Sequence, residues 1–304
     1  MENSPLVSVV VLTYNSSVTV IETLDSIKKQ NYPNIELVIT DDCSKDDTVN
    51  VVRNWLAKNG DSFVNFQLVT ATTNTGVSGN LNRGIAESHG MWVKIIAGDD
   101  LLLPECVSDN VECTNKNMEV QAVFSRAHFF GDPAICEHYK DFGYGLFGLN
   151  NREKYLFLLT KNCIIAPATF ISRQYLDSVG GYNEEIPFIE DWPFWIKMFK
   201  DGCNIAFLNN ETVNYRMGTS LSLGNGGGGK FRESYELVLS YAYKCQMQEN
   251  LIYRIYAFLL KKQRENNSLI ISLLLKTNIY YYYYRYIEMK MNRASREFNN
   301  QFNS

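Results

Sequence analysis

Hydrophobic and polar positions change period several times along the chain. In LVSVVVLTYN an almost unbroken β-branched run, Val7 to Leu12, ends in a polar turn at Thr13, Tyr14 and Asn15. That is the pattern of a strand buried on both faces. Val20, Leu24 and Ile27 then recur at helical spacing in VTVIETLDSIKKQNYP. IELVITDD repeats the buried-strand pattern and closes on two acids. TVNVVRNWLAKNG reads as the next helix and FVNFQLVTATTNTG as strand and loop. SGNLNRGIAESHG is a helix stopped by Gly90, and MWVKIIAGDD a further strand. Strand and helix alternating across short turns predict an α/β fold with an open, mostly parallel, Rossmann-like sheet covered on both faces. Such sheets bind ligands beyond the carboxyl ends of their strands. The loops at 13–17, 41–48, 74–78 and 98–100 are therefore expected to lie together.

Past Pro104 the alternation weakens. Residues 120–148 mix short strands with an aromatic loop, DFGYGLFGLN. NREKYLFLLTKN is helical, IIAPATFISR a strand, EDWPFWIKMFKDG a helix with Pro193 in its first turn, and NETVNYRMG a late strand. From Phe231 two or three helices follow, ending in a Tyr-rich basic tail.

Composition narrows the class. The 304 residues are 45% hydrophobic and 20% charged, room for one large domain or two smaller ones. The net charge of −4 is uneven. From Lys244 onward ten Lys/Arg stand against four Asp/Glu, which leaves the tail near +6 and the rest near −10. An acidic chain without a dense basic stripe argues against nucleic acid. Seven cysteines without a CxxC pair fit a reducing compartment better than a disulfide framework or a zinc site. MENSPLVSVVVLTYN has no basic region before its apolar run, and LIISLLL is too short to span a bilayer. A cytoplasmic protein without a transmembrane helix is expected.

Candidate chemistry begins at KIIAGDD, where Asp99 and Asp100 close a strand. Adjacent acids repel and resist desolvation, so they read either as solvated turn residues or as cation ligands. Acids recurring at a second strand end, in TDD, reduce the weight of the plain turn. A dinucleotide fingerprint is missing, because the first turn, TYNSS, holds no glycine. In SLGNGGGGKF, Gly224, Gly229 and Lys230 match a phosphate loop, but Phe231 stands where Ser or Thr is needed. That tract is read as a flexible loop, either a lid over substrate or a passive linker.

VSVVVLTYN, ELVITDDCSKDDT, NTGVSGNLNRGIAESHG, WVKIIAGDD and EDWPFWIKM follow one another over residues 6–220. In order and spacing they resemble the family 2 glycosyltransferases, inverting enzymes of the GT-A fold. The resemblance implies a nucleotide-diphospho-sugar-binding catalytic domain, taken as 1–225; the helical pattern, on which the resemblance gives no detail, makes 226–304 a C-terminal helical region. It implies that Asp99 and Asp100 hold Mn²⁺ or Mg²⁺ beside the donor diphosphate and reach its ribose, with Ala97 where the family's Asp-x-Asp-Asp has its first acid. Asp42 would hydrogen-bond the base, Thr13, Tyr14 and Asn15 would line the same pocket, and Asn74 and Gly76 match the family's Asn-x-Gly. Asp191 would be the base that deprotonates the acceptor hydroxyl, with Glu190 beside it and Trp192 offering a flat face to an acceptor sugar; Trp195 reads as core. Acids at a helix start are also favoured by its dipole, and Asp46 and Asp47 read as caps. Arg83, displaced from the family's Ala-Arg-Asn, receives no role, and Gly218 stands where a His often follows the strand.

The expected activity is transfer of a hexose from a UDP-linked donor to a hydroxyl of a glycan, a lipid-diphosphate-linked oligosaccharide for capsule or O-antigen, at the inner face of the plasma membrane. A catalytically impaired sugar-nucleotide-binding scaffold is the alternative. A sugar nucleotidyltransferase is a weaker one, since it needs a Gly-rich basic loop where TYNSS stands. The tail IYYYYYRYIEMKMNRASREF reads in two ways, as lying on an anionic membrane surface or as packing on the catalytic domain or a homodimer partner.

Overall fold

The computed structural model describes residues 4–139, 144–218 and 228–302. In chain order these form β1 (Val7–Thr13), α1 (Val20–Lys28), β2 (Ile35–Asp41), α2 (Thr48–Asn59), β3 (Asn65–Thr70), α3 (Gly76–Ala86), β4 (Trp92–Ala97), β5 (Leu101–Leu102), α4 (Cys106–Lys116), β6 (Ala122–Gly131) and α5 (Pro133–Tyr139). There follow α6 (Asn151–Leu158), β7 (Thr169–Ser172), α7 (Arg173–Val179), α8 (Asp191–Lys200), β8 (Ile205–Met217), α9 (Gly228–Gln246), α10 (Leu251–Asn266), α11 (Leu269–Lys276) and α12 (Ile279–Phe302). Two compact units emerge. The first takes Met1–Asp141, Ile165–Asp191 and Cys203–Phe231; the second takes Phe142–Ile164, Trp192–Gly202 and Arg232–Ser304. The helical unit thus draws on more of the chain than the residues after 225.

The first unit is built on an eight-stranded sheet in the order β3-β2-β1-β4-β7-β6-β8-β5. β1 pairs in parallel with β2 and β4, and β2 with β3. Val7, Val9, Val10, Val11, Leu37 and Ile39 are fully buried, as strands covered on both faces require. Thr13 stands opposite Asp41 and Leu12 opposite Ala97, so three strands end flush and their loops share one edge. The other half is mixed. β7 runs antiparallel to both β4 and β6, and β5 antiparallel to β8, while β6 and β8 are parallel with a register shift around Arg126. Where short strands were expected after residue 120, β6 is one ten-residue strand.

The second unit is helical. Asn150 caps α6 in a reciprocal box with Glu153, and Tyr155 and Phe157 are buried behind it. Lys290 of α12 places its ammonium 2.7 and 2.8 Å from the Glu153 carboxylate, and Tyr284 stacks on Phe157 with ring centroids 5.8 Å apart. At Gly145 a Cβ would fall on the backbone of Met291, so only glycine admits α12 this closely. Among the described residues four helices run from Gly228 onward, not two or three, because Asn267 breaks α10 from α11 in the left-handed conformation (φ 43°). The lid-or-linker reading around Gly224 falls on residues 219–227, outside the described residues. Among the described residues no helix is long and apolar enough to cross a membrane.

Candidate active site

The Asp99–Asp100 turn lies at the carboxyl edge of the parallel strands, as expected. Asp100 is 2% exposed, and its Oδ1 accepts the Arg216 backbone N–H at 2.8 Å. Burial pushes its carboxyl well above the usual range, and the neighbouring Asp99 adds to the shift. Arg216, which carried no role in the sequence reading, clamps the turn. Its Nε donates to the Asp99 carbonyl at 2.7 Å, its other end pairs with Glu22 at 2.5 Å, and its guanidinium lies 4.5 Å over the Phe130 ring. The β5–β8 pairing, Leu101 opposite Asn214, brings it there. The buried Lys94 ammonium, held by the carbonyls of Pro167 and Thr169, adds positive charge toward Asp100.

Around this turn the other loops close. The Gly98 N–H donates to Leu12, and the Gly98 carbonyl accepts from Thr19 Oγ1 at 2.7 Å. Asn15 adopts a left-handed conformation (φ 53°), its N–H donating to Ser44 Oγ and its Oδ1 accepting the Lys45 N–H, both at 2.8 Å. Tyr14 is 42% exposed beside it. Thr13 is buried with its hydroxyl on Asp41, so its side chain shapes the turn. Asp42 accepts the N–H groups of Thr75 and Gly76 and the Thr75 hydroxyl at 2.7–3.0 Å, fastening the start of α3. Arg83 supports that arrangement through Thr75 Oγ1 at 2.8 Å and Asp42 at 3.5 Å. Asn74 is exposed next to it. Asp47 holds the N-cap position of α2 without a side-chain bond to the helix backbone, while Asp46, one residue before it, accepts the Thr48 N–H and also takes the Ser17 N–H. Burial works against the Asp46 charge, but these hydrogen bonds outweigh it and hold the carboxyl down at about 2.

The Glu190–Asp191 pair belongs to the same unit. The segment leading to it is pinned on α3. Ser78 donates its N–H to Pro187 and its hydroxyl to Ile186 at 2.6 Å, and Asn82 donates to Tyr182. Gly76 has φ 81° and a Cβ there would meet Pro187 at 2.7 Å, so the turn needs glycine for conformation and for contact. Burial, then Asp191, raises the Glu190 carboxyl to about 8. Tyr215 registers both acid pairs. Its hydroxyl is pushed up by burial first, then by Asp100, Asp191, Asp99 and Glu190. Trp192 does not offer a face to solvent. It is 4% exposed, with Nε1 donating to the Leu158 carbonyl at 2.6 Å and its ring against Tyr235, because one residue past Asp191 the helix turns it into the second unit's core. Trp195 is core, as expected.

Among the described residues no three His, Cys, Asp or Glu side chains form a metal cage. Asp99 and Asp100 nonetheless suit a hard divalent cation. They supply adjacent oxygen donors, and the buried Asp100 resists ionisation until positive charge compensates it. Such cations are commonly held by one or two carboxylates with substrate phosphate and water completing the shell.

Comparison with known proteins gives the family and the fold. The model of Glycosyl transferase family 2 matches residues 8–180. A relative described as an uncharacterized glycosyltransferase of Rickettsia felis is 27% identical over 202 residues, 64% of this chain but 32% of that protein. The chain therefore spans about a third of that relative's length. The E. coli UDP-Glc:alpha-D-GlcNAc-diphosphoundecaprenol beta-1,3-glucosyltransferase WfaP is 28% identical over 234 residues, 75% of this chain and 82% of that one. The crystal structure of S. aureus TarS 1-349 in complex with UDP-GlcNAc superposes with a TM-score of 0.63 at 17% identity, covering 97% of this chain and 92% of that one. The fold is GT-A-like, a mostly parallel sheet with a C-terminal helical region.

Proposed function

Since the chain belongs to glycosyl transferase family 2, we propose that it moves a hexose from a UDP-sugar, with inversion, to a hydroxyl of a lipid-diphosphate-linked glycan in bacterial surface polysaccharide synthesis. The observation that carries the reading is that the Asp99–Asp100 turn follows β4 at the carboxyl edge of the parallel strands, while the segment leading to Glu190–Asp191 is pinned on the start of α3 at the same edge. One pair suits a cation beside a diphosphate, and the other suits proton abstraction.

In this scheme the loops bearing Tyr14, Asn15, Asp42, Asn74 and Gly76 receive the nucleoside, with Thr13 shaping the first of them. Asp99 and Asp100 hold Mn²⁺ or Mg²⁺, which when bound offsets charge growing on the departing diphosphate. Asp191 takes the proton of the acceptor hydroxyl. The resulting oxygen bonds to the anomeric carbon from the face opposite the diphosphate, the old carbon–oxygen bond breaks, and UDP leaves with that electron pair. Burial and the Asp191 charge push the Glu190 carboxyl up to about 8, which disfavours a second negative charge beside the base. The lipid-linked acceptor is supported by the E. coli relative, whose name specifies a diphosphoundecaprenol acceptor.

Calorimetric titration of UDP, GDP and their sugar conjugates, with Mn²⁺ and with EDTA, tests the reading. Metal-dependent binding of a UDP-sugar, lost in Asp99→Ala, is expected. Asp191→Asn should bind the donor and lose turnover by roughly 10²–10⁴-fold. No nucleotide binding under any metal condition would move the chain to the scaffold reading.

A further inference from the structure

We propose that the outward faces of α10, α11 and α12 form a docking surface for an anionic lipid bilayer, with α11 at its centre. Leu269, Ile270, Leu273 and Leu274 are 83%, 71%, 64% and 48% exposed, and they recur at i, i+1, i+4 and i+5 along one face of α11. Leu275 is the residue this helix buries. Eight residues of nearly pure Leu and Ile held in water need a partner.

A second apolar patch lies where α10 and α12 begin, next to the end of α11 in the chain. Asn278 at the α11–α12 junction donates to the Ile252 carbonyl at 3.1 Å, and Asn250 donates to the Tyr280 hydroxyl at 2.5 Å. These bonds bring Ile252 and Ile279, 52% and 66% exposed, into the lining of one shallow concavity. Three helices therefore turn apolar side chains outward on joined elements. α11 is far too short to cross a bilayer, and no helix among the described residues is apolar enough to do so. The surface lies on a membrane.

Charge decides between a bilayer and a second copy of the chain. From Lys244 onward ten Lys/Arg stand against four Asp/Glu, and Arg254 and Lys276 are exposed on the helices that carry the patch. Two such faces pressed together would oppose cation to cation. An anionic lipid surface complements them and accepts the apolar side chains at the same time. Within α12 the role of the cations is divided. Lys290 turns inward to Glu153, so it supports the helix and not the lipid contact. The inference deepens the proposed function, because a lipid-linked acceptor is presented at such a surface, but it is tested without any acceptor.

The experiment is flotation of the whole chain with phosphatidylglycerol–phosphatidylcholine vesicles and with phosphatidylcholine alone, alongside UDP titration in Mn²⁺ on the same preparation. Binding to the anionic vesicles should be roughly tenfold tighter than to the neutral ones and should weaken as salt is raised. The double variant Ile270→Glu/Leu273→Glu should lose vesicle binding roughly tenfold or more and keep UDP binding; Lys276→Glu, also on the surface, should weaken it severalfold. Wild-type protein that binds UDP and ignores both vesicle types overturns this inference alone. Vesicle binding without UDP binding supports it while overturning the functional reading. A concentration-dependent dimer dissolved by the double variant, without vesicle binding, gives the face to a second copy and overturns the lipid proposal.

Discussion

Glu36 and Asp100 are both buried carboxylates of the same parallel half-sheet, at opposite ends of it, and their surroundings differ in kind. Glu36, at the amino edge, accepts from Ser8 Oγ at 2.5 Å, from the His89 N–H at 2.7 Å and ring at 2.8 Å, and from Asn65 at 3.3 Å. Burial opposes its charge, yet these donors outweigh it and hold the carboxyl below its usual range. Asp100, at the carboxyl edge, takes the Arg216 amide on one oxygen and has an acid for a neighbour, and its carboxyl goes up. A buried acid surrounded by donors is part of the architecture. One short of donors and set beside another acid is a place where positive charge is wanted, which is the electrostatic condition of a cation site.

The most direct way to break that comparison is to remove the satisfied acid. Glu36→Gln presents an amide N–H₂ to groups that are themselves donors, leaving Ser8, His89 or the Gly90 amide that bonds Ser8 without an acceptor. A loss of about 1–3 kcal/mol in urea unfolding is expected, the cost of leaving a buried donor unsatisfied. The folded fraction should bind UDP as before, since the site lies at the other edge. Equal damage to nucleotide affinity would mean that the two edges are not independent.

The same comparison extends to a third carboxylate through pH. Glu190 has its folded value raised from 4.5 to about 8, so between those values the folded protein binds the extra proton and the unfolded chain does not. Its contribution to stability is fully present below about pH 4.5 and is lost as pH rises toward about 8. Glu36 acts with the opposite sign, stabilising above its unfolded value and losing that contribution as pH falls through its lowered one. Glu190→Gln should therefore flatten the decline in melting temperature between about pH 4.5 and 8 and leave the acid limb in place. A slope that survives the substitution would put Glu190 with Glu36 as a charged, satisfied acid.

Much of this was legible in the sequence, for physical reasons. β1 and β2 announce themselves because strands buried on both faces must be continuously apolar, and flush parallel strands then dictate which loops meet. That Asp99 and Asp100 stand at the carboxyl edge of the parallel strands was legible for the same reason, because they close a continuously apolar strand. What stayed hidden depends on pairing between distant segments. β7 is four residues long and β8 mixes polar and apolar positions, so neither their antiparallel partners nor the reach of Arg216 could be read locally. Trp192 was misread because one step of about 100° along a helix separates the half-buried Asp191 from a core residue.

Asp100→Asn sharpens the comparison in the other direction. The amide keeps the size of the side chain and removes the acid that burial and Asp99 disfavour, so thermal stability at neutral pH should hold or rise. UDP affinity in Mn²⁺ should fall by about 10²-fold, about 2.7 kcal/mol, with no change in EDTA. Stability and binding thus separate here in the reverse sense to Glu36→Gln. A variant that loses both would return the turn to an ordinary structural role.

The smallest expected effect belongs to Arg216, and it asks whether the turn is merely folded or held in a binding geometry. Arg216→Lys keeps a positive charge and the backbone N–H on Asp100. It gives up the Nε donor to the Asp99 carbonyl and the planar contact over Phe130. The chain would then have a turn with the same charge and a looser shape. If the shape matters, UDP affinity in Mn²⁺ falls about five- to tenfold, about 1 kcal/mol, affinity in EDTA is unchanged, and the melting temperature moves little. If the clamp only braces the fold, the melting temperature falls and the metal-dependent increment in affinity survives among folded molecules. The first outcome makes Arg216 a positioning residue for the acid pair, joined to it through a strand pairing more than a hundred residues distant in sequence. The second would give this edge of the sheet the same kind of polar bracing that surrounds Glu36, and the difference between the two edges would rest on Asp99 and Asp100 alone.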